Sequence, residues 1–148
     1  AGCIFHAMDE SDVENIMKYP HTMIASDGRL SEPGVGHPHP RAYGTFPRVL
    51  GRYVREKNVL SMSEAIYKMT YLPAKAFGLK DRGLIRQGMK ADITIFNADT
   101  VTDKATFESP HQYPEGIKYV IVNGQLAVDN FEFKKLKAGE VLRKNLYE

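Results

Sequence analysis

"TMIASDGRLSEPGVGHPHPRAYGTFPR", Thr22–Arg48, decides how the chain is read. A short apolar run, Thr22 to Ala25, leads to Asp27 and Gly28, and a loop over 29–45 carrying His37, His39 and Arg41 follows. Upstream, Ile4-Phe5-His6 reads as a short strand. Asp9 or Ser11 can cap a helix over roughly Glu10 to Lys18, with Val13, Ile16 and Met17 on one face. Pro20 stops it, and Thr22–Ala25 then reads as a second buried strand. Strand, helix, strand with tight connections is the rhythm of a parallel α/β unit.

In such a unit, the C-terminal end of a strand is where barrels and open sheets place working groups. Asp27 stands there and could act as a general base or bind a metal. An Asx-turn explains the same dipeptide, since aspartate before glycine is ordinary turn chemistry. The residues leave both readings open. His37 and His39 alternate with prolines, so their rings should point in roughly opposite directions, which makes joint ligation of one zinc awkward. A rigid loop with partly exposed rings is the simpler reading. His6 ends a strand and could face the same mouth as Asp27, although a satisfied strand-end histidine explains it as well. His21 and His111 carry no pattern. The planar guanidinium of Arg41 suits a bidentate grip on a carboxylate or phosphate, and a surface arginine is the plain alternative.

Downstream, Thr45 is a candidate N-cap with Pro47 in the first turn of a helix over about Phe46 to Lys57, striped by Val49, Leu50, Tyr53 and Val54. Ser61-Met62-Ser63-Glu64 fits a capping box for the next helix, and Pro73 should interrupt that helix before a turn ending at Gly78. From Gly83 the texture changes. Gly83-Leu84-Ile85, Gly88-Met89-Lys90 and Ala91–Phe96 read as short β pieces, and Tyr119–Val122, Asn123-Gly124, Gln125–Val128 as a hairpin with a type I′ turn. The expected division is 1–80, α/β, and 81–148, mainly β, where three or four short strands leave one apolar face short of partners.

Composition narrows the function classes. Twenty basic and 18 acidic side chains leave a net charge of +2, too balanced to imply nucleic acid. The Lys134, Lys135, Lys137, Arg143, Lys144 cluster reads as a solvated face. The single cysteine, Cys3, cannot pair within the chain, so no oxidising compartment is demanded and a buried inert thiol is expected. No apolar run approaches the ~20 residues that cross a bilayer, and the segment from Ala1 has no basic n-region. No membrane partner and a cytoplasmic location are the expectations. No P-loop, GxSxG or CxxC motif occurs.

Four segments together carry a resemblance: "TMIASDG", "HPHPRAYGTFPRVLGRYVRE", "LSMSEAIYKMTYLPAKAFGLKDRGLIRQGMKADITIFN" and "ATFESPHQYPEGIKYVIVNGQLAVD". They resemble the C-terminal portion of the N-acyl-D-amino-acid deacylases (D-aminoacylases) of the amidohydrolase superfamily. HPR with its GTFPR run and PHQYPEGI are the specific parts, whereas Leu79–Asn97 is shared more widely. The resemblance implies a metal-dependent (β/α)8 barrel beside a small β-sandwich. Residues 1–80 would be the last strand-helix units of the barrel, with strand seven at Ile4–His6 and strand eight at Met23–Ala25. Residues 81–148 would be the C-terminal half of the sandwich. A barrel alone takes about 250 residues, so the resemblance also implies that this is a piece of a larger enzyme.

On that resemblance Asp27 would be the catalytic aspartate, a general base then acid and a candidate metal ligand, and Arg41 would hold the substrate carboxylate. The cofactor would be Zn2+ in the intact enzyme, its other ligands lying outside this chain, with none bound by the chain alone. The substrate would be an N-acyl-D-amino acid. The chain by itself would be inactive, and its exposed barrel and sandwich edges would favour a homo-oligomer. Two alternatives stand beside this reading: a non-catalytic oligomerisation or interaction module, and an amidohydrolase for a cyclic amide or dipeptide.

Overall fold

The computed structural model describes residues 5, 7–30 and 32–143. Expectations resting on Cys3, Ile4, His6 and Lys144 fall outside them. Helix α1 spans Glu10–Lys18, as its pattern requires. Asp9 caps it by accepting from the Ser11 amide at 2.8 Å, and Glu10 and Asp12 stand in the first turn with Lys18 in the last, complementing the helix dipole.

Thr22–Ala25 forms no strand. No parallel pairing occurs among the described residues, and the Ile24 amide donates instead to the Lys68 carbonyl at 3.1 Å. The Lys68 ammonium, buried, donates to the carbonyls of Tyr19 (2.5 Å) and Thr22 (3.1 Å). The segment between α1 and the loop is thus held by a lysine rather than by a ladder.

The next helix begins five residues earlier than the Thr45 cap predicts. Helix α2 spans Arg41–Arg48, because Pro40 already sits in helical conformation (φ −50°, ψ −29°) and a proline's fixed φ suits a helix start. Thr45, inside the helix, turns its hydroxyl back to donate to the Arg41 carbonyl at 3.0 Å. Pro47 has no N–H to offer the preceding turn. Directly after it the chain widens into a π-helix over Val49–Glu56, closed by the Lys57 amide on the Arg52 carbonyl at 2.9 Å.

The core gathers along this widened stretch. Val49, Leu50, Tyr53 and Val54 pack with Leu60, Ala65 and Val101, while Val13 and Met17 of α1 and Phe96 and Ile117 of the β-rich half close around them. Gly51 permits a close approach. A Cβ there would lie 2.7 Å from the Val101 carbonyl oxygen, so the helix rests directly on the backbone of a fully buried residue.

Helix α3, Met62–Met69, starts on the expected capping box. The Glu64 amide donates to the Ser61 hydroxyl at 3.2 Å, and the Ser61 amide donates to the Glu64 carboxylate at 2.8 Å. The break before α4, Tyr71–Phe77, falls at Thr70, three residues ahead of Pro73, and Gly78 ends the helix at φ 71°.

Gly83–Ile85 and Gly88–Lys90 are turns and bends rather than strands, since Gly83 (φ 87°) and Gly88 (φ 85°) leave the extended region. One antiparallel sheet follows, in chain order: β1 (Ile93–Phe96), β2 (Ile117–Val122), β3 (Gln125–Asp129) and β4 (Glu132–Phe133). Ile93 faces Ile121 across β1–β2, and Val122 faces Gln125 across the hairpin. Asn123 and Gly124 make its turn with φ of 47° and 79°, as a type I′ turn demands.

Arg82 ties the segment before β1 to the hairpin turn and to the stretch after β4. Its side chain, one-tenth exposed, donates to Asp92, to Asn123 Oδ1 (3.2 Å) and to Glu140 (2.5 Å). Asp92 in turn accepts from the Asn123 amide at 2.7 Å, and Asn123 donates to the Ala138 carbonyl at 2.8 Å. Among the described residues no helix is long and apolar enough to cross a membrane.

Candidate active site

Asp27 occupies a left-handed backbone conformation, φ 46°, sparsely used outside glycine, asparagine and aspartate. The Gly28 amide donates to the Ser26 hydroxyl at 3.2 Å. Gly28 is then pressed onto the first turn of α2: a Cβ on it would lie 2.9 Å from the Ala42 Cα. That contact delivers Asp27 to Arg41 across the loop. The Arg41 Nη2 donates to Asp27 Oδ2 at 2.8 Å, with the carboxylate 85% and the guanidinium 43% exposed. The two residues singled out in the sequence are therefore brought together, as an open ion pair facing solvent.

The loop between them is fixed from outside. His37 and His39 both meet Phe107. His37 Nε2 donates to the Phe107 carbonyl at 2.6 Å, and the His39 ring stands edge-on to the Phe107 ring, centroids 5.2 Å apart. His39 Nδ1 also accepts the Arg41 amide at 3.1 Å. Both histidines serve the loop that carries the arginine.

His111, which showed no pattern in the sequence, is a third anchor. Its Nε2 donates to the Gly36 carbonyl at 3.0 Å, while Nδ1 receives the Tyr43 hydroxyl at 3.0 Å and the Gly34 amide at 3.3 Å. Tyr43, in the first turn of α2, also meets Tyr113 edge-on at 5.6 Å. The signal for His111 was its place inside the PHQYPEGI run rather than any spacing to another histidine.

The amidohydrolase family model matches residues 6–128, most of the chain and both halves of this site. The chain belongs to the amidohydrolase family. This amidohydrolase chain is 50% identical over 124 residues to an N-acyl-D-glutamate deacylase of Alcaligenes xylosoxydans xylosoxydans, covering 84% of the chain and 25% of that protein. It is 45% identical over 142 residues to a D-aminoacylase of the same organism, covering 96% and 29%. Among solved structures, a D-aminoacylase studied for its binuclear metal centre superposes at a TM-score of 0.83 and 45% identity, covering 89% of this chain and 27% of its own. An N-acyl-D-glutamate deacylase from Bordetella bronchiseptica, complexed with zinc and a phosphonate inhibitor, superposes at 0.76 and 45% identity, covering 82% and 25%. The amidohydrolase chain thus spans about a quarter of the length of the relatives it matches.

Among the described residues no three histidine, cysteine, aspartate or glutamate side chains converge as a metal site would require. Asp27 could supply one oxygen, and its carboxylate is turned to Arg41. The described residues do not by themselves make a zinc centre.

Proposed function

We propose that this chain provides the general base and the carboxylate-binding group of an N-acyl-D-amino-acid deacylase, acting as part of a longer polypeptide. The observation that carries the reading is the Asp27–Arg41 pair, a base and an anion receptor 2.8 Å apart, within a chain 45–50% identical to deacylases of N-acyl-D-amino acids. In such a protein, residues 1–80 would complete a (β/α)8 barrel and 81–148 a sandwich. The exposed Leu30, Ile85 and Phe5 are surface on which further structure would pack. The location would be cytoplasmic. Zinc belongs to the proposal for the longer protein, with the bulk of its ligand set outside the described residues.

The chemistry of this chain's residues is amide hydrolysis. Arg41 takes the carboxylate of the D-amino acid moiety by charge-assisted hydrogen bonds, fixing where the scissile amide lies. Asp27 accepts a proton from the attacking water as its oxygen bonds to the acyl carbon. As the C–N bond breaks, that proton passes to the leaving nitrogen, giving a carboxylic acid and a free D-amino acid. Because Arg41 begins paired with Asp27, substrate binding exchanges one carboxylate for another and releases the base when it is needed.

Kinetics of a full-length enzyme carrying Asp27→Asn and Arg41→Ala test this. Asp27→Asn should lower kcat by about 10²- to 10⁴-fold, and Arg41→Ala should chiefly raise KM for N-acetyl-D-amino acids. Unchanged kcat in Asp27→Asn ends the assignment. N-acetyl-L-amino acids, cyclic amides and dipeptides assayed in parallel separate the substrate classes.

A second reading, a non-catalytic module that pairs with another copy, draws on the sheet edge: β1 is an outer strand with Ile95 47% exposed. A concentration-independent monomer in sedimentation would remove it.

A further inference from the structure

We propose that His111 is a positioning residue for Arg41. The inference rests on Arg41 as the receptor of the substrate carboxylate and adds a residue from the distant β-rich half to that function.

Arg41 sits at the first position of α2, and the orientation of its guanidinium depends on how the preceding loop meets the helix. His111 holds both sides of that junction at once. On the loop it grips the Gly34 amide and the Gly36 carbonyl; on the helix it takes the Tyr43 hydroxyl, two residues beyond Arg41. Gly34 and Gly36 lie in left-handed conformations (φ 81° and 71°), backbone that needs outside partners to hold one shape. A carbonyl can only accept, so Nε2 carries the proton toward Gly36, and Nδ1 is left as the acceptor shared by the amide and the hydroxyl. One neutral tautomer satisfies all three partners, and phenylalanine of similar size satisfies none. His37, on the Phe107 carbonyl, ties the same loop to the same 107–113 segment. The segment therefore sets where the arginine stands without touching the substrate itself.

The test uses the full-length enzyme and two substrates, an N-acyl-D-amino acid and the matching N-acyl amine lacking the carboxylate. His111→Phe should raise KM for the first about tenfold, on the order of one lost hydrogen bond, with kcat little changed. It should leave the second substrate unaffected. His111→Asn, which keeps an acceptor near Nδ1, should restore part of the loss. Tyr43→Phe, which removes one hydroxyl, should shift KM the same way by a few fold, and it decides the matter if His111→Phe does not fold. In an Arg41→Ala background His111→Phe should add nothing. Equal loss for both substrates, or unchanged KM in His111→Phe and Tyr43→Phe while Arg41→Ala loses carboxylate discrimination, overturns the role of His111 and leaves that of Arg41. If Arg41→Ala keeps full discrimination, the role of Arg41 fails and this inference with it.

Discussion

Arg41 Nη2 and Asp27 Oδ2 lie 2.8 Å apart, although 13 residues of loop separate them in the chain. The pair is solvent-facing, so its strength is modest, as exposed ion pairs generally are. Its importance is competitive: a carboxylate that takes Nη2 of Arg41 must displace Asp27. Removing the Asp27 charge should therefore tighten binding of a D-amino acid product while abolishing turnover. In the full-length enzyme, Asp27→Asn should lower the Kd for the product by roughly two- to fivefold, the range an exposed ion pair can supply. Isothermal titration of wild type and variant measures it directly. Weaker binding in the variant would mean that Asp27 assists the carboxylate site instead of competing for it.

A second prediction concerns the contact under the π-helix. A methyl group on Gly51 would stand 2.7 Å from the Val101 oxygen, and backbone cannot step aside as a flexible side-chain tip can. Val101 is fully buried and lies between helices and sheet. Gly51→Ala should thus destabilise the chain by about 1–3 kcal/mol, the usual range for overpacking. That cost exceeds the gain in helix propensity, which is about 1 kcal/mol. Thermal unfolding followed by circular dichroism reads the balance, and a raised Tm would show that the helix can lift off Val101 freely.

Much of this arrangement was legible in the residues, and the exceptions share a cause. α1, the Ser61–Glu64 capping box and the Asn123-Gly124 hairpin are local devices, complete within a few residues, and each is where the sequence placed it. Thr22–Ala25 looked like a strand because it is apolar, but a strand needs a partner, which its own residues cannot report. Thr45 looked like a cap because it precedes Pro47, whereas Pro40 had already started the helix. Asp27 and Arg41 could be named from sequence, yet their pairing depends on Gly28 meeting Ala42. His111 stood in the PHQYPEGI run, but its contacts could not be read there because all three partners lie some 70 residues away.

Arg82 should be the most sensitive charged position in the β-rich half. Its guanidinium joins Asp92, Asn123 and Glu140, and Nε is buried with no hydrogen-bond partner, Asp81 standing off at 3.8 Å. Arg82→Met keeps the bulk and removes the cation shared by Asp92 and Glu140, leaving Glu140 with Lys90 at 3.7 Å. Asp92 and Glu140 are 35% and 50% exposed, so solvent screens the pairs; their loss should cost about 1–2 kcal/mol, and Tm should fall by roughly 3–8 °C for a domain of this size. Arg82→Met combined with Asp92→Asn should recover part of the loss, because the carboxylate left without its guanidinium is neutralised. Additive losses in the double variant would place the role of Arg82 elsewhere than in that pair.

The last prediction follows from the start of α3. The Ser61 hydroxyl and amide both donate to the Glu64 carboxylate, and these bonds hold its pKa below the usual glutamate value. Glu10 is lowered in the same way, first by the hydrogen bond from Lys57, then with help from Arg52. In both cases the folded state binds its proton less readily than the unfolded chain does. The stabilisation is therefore complete above the unfolded pKa, about 4.3 for glutamate, and is lost as pH falls through the lower folded value. Glu64→Gln keeps a side chain able to complete a capping box but cannot titrate. Its denaturation midpoint should resemble the wild type's at pH 7 and fall less steeply between pH ~5 and ~3. The acid slope that remains should shrink further with Glu10→Gln, although that variant also loses the ion pairs to Arg52 and Lys57 at pH 7. Urea midpoints across this range for the wild type and the two variants decide it: an undiminished slope in Glu64→Gln would mean that the capping carboxylate is not linked to folding.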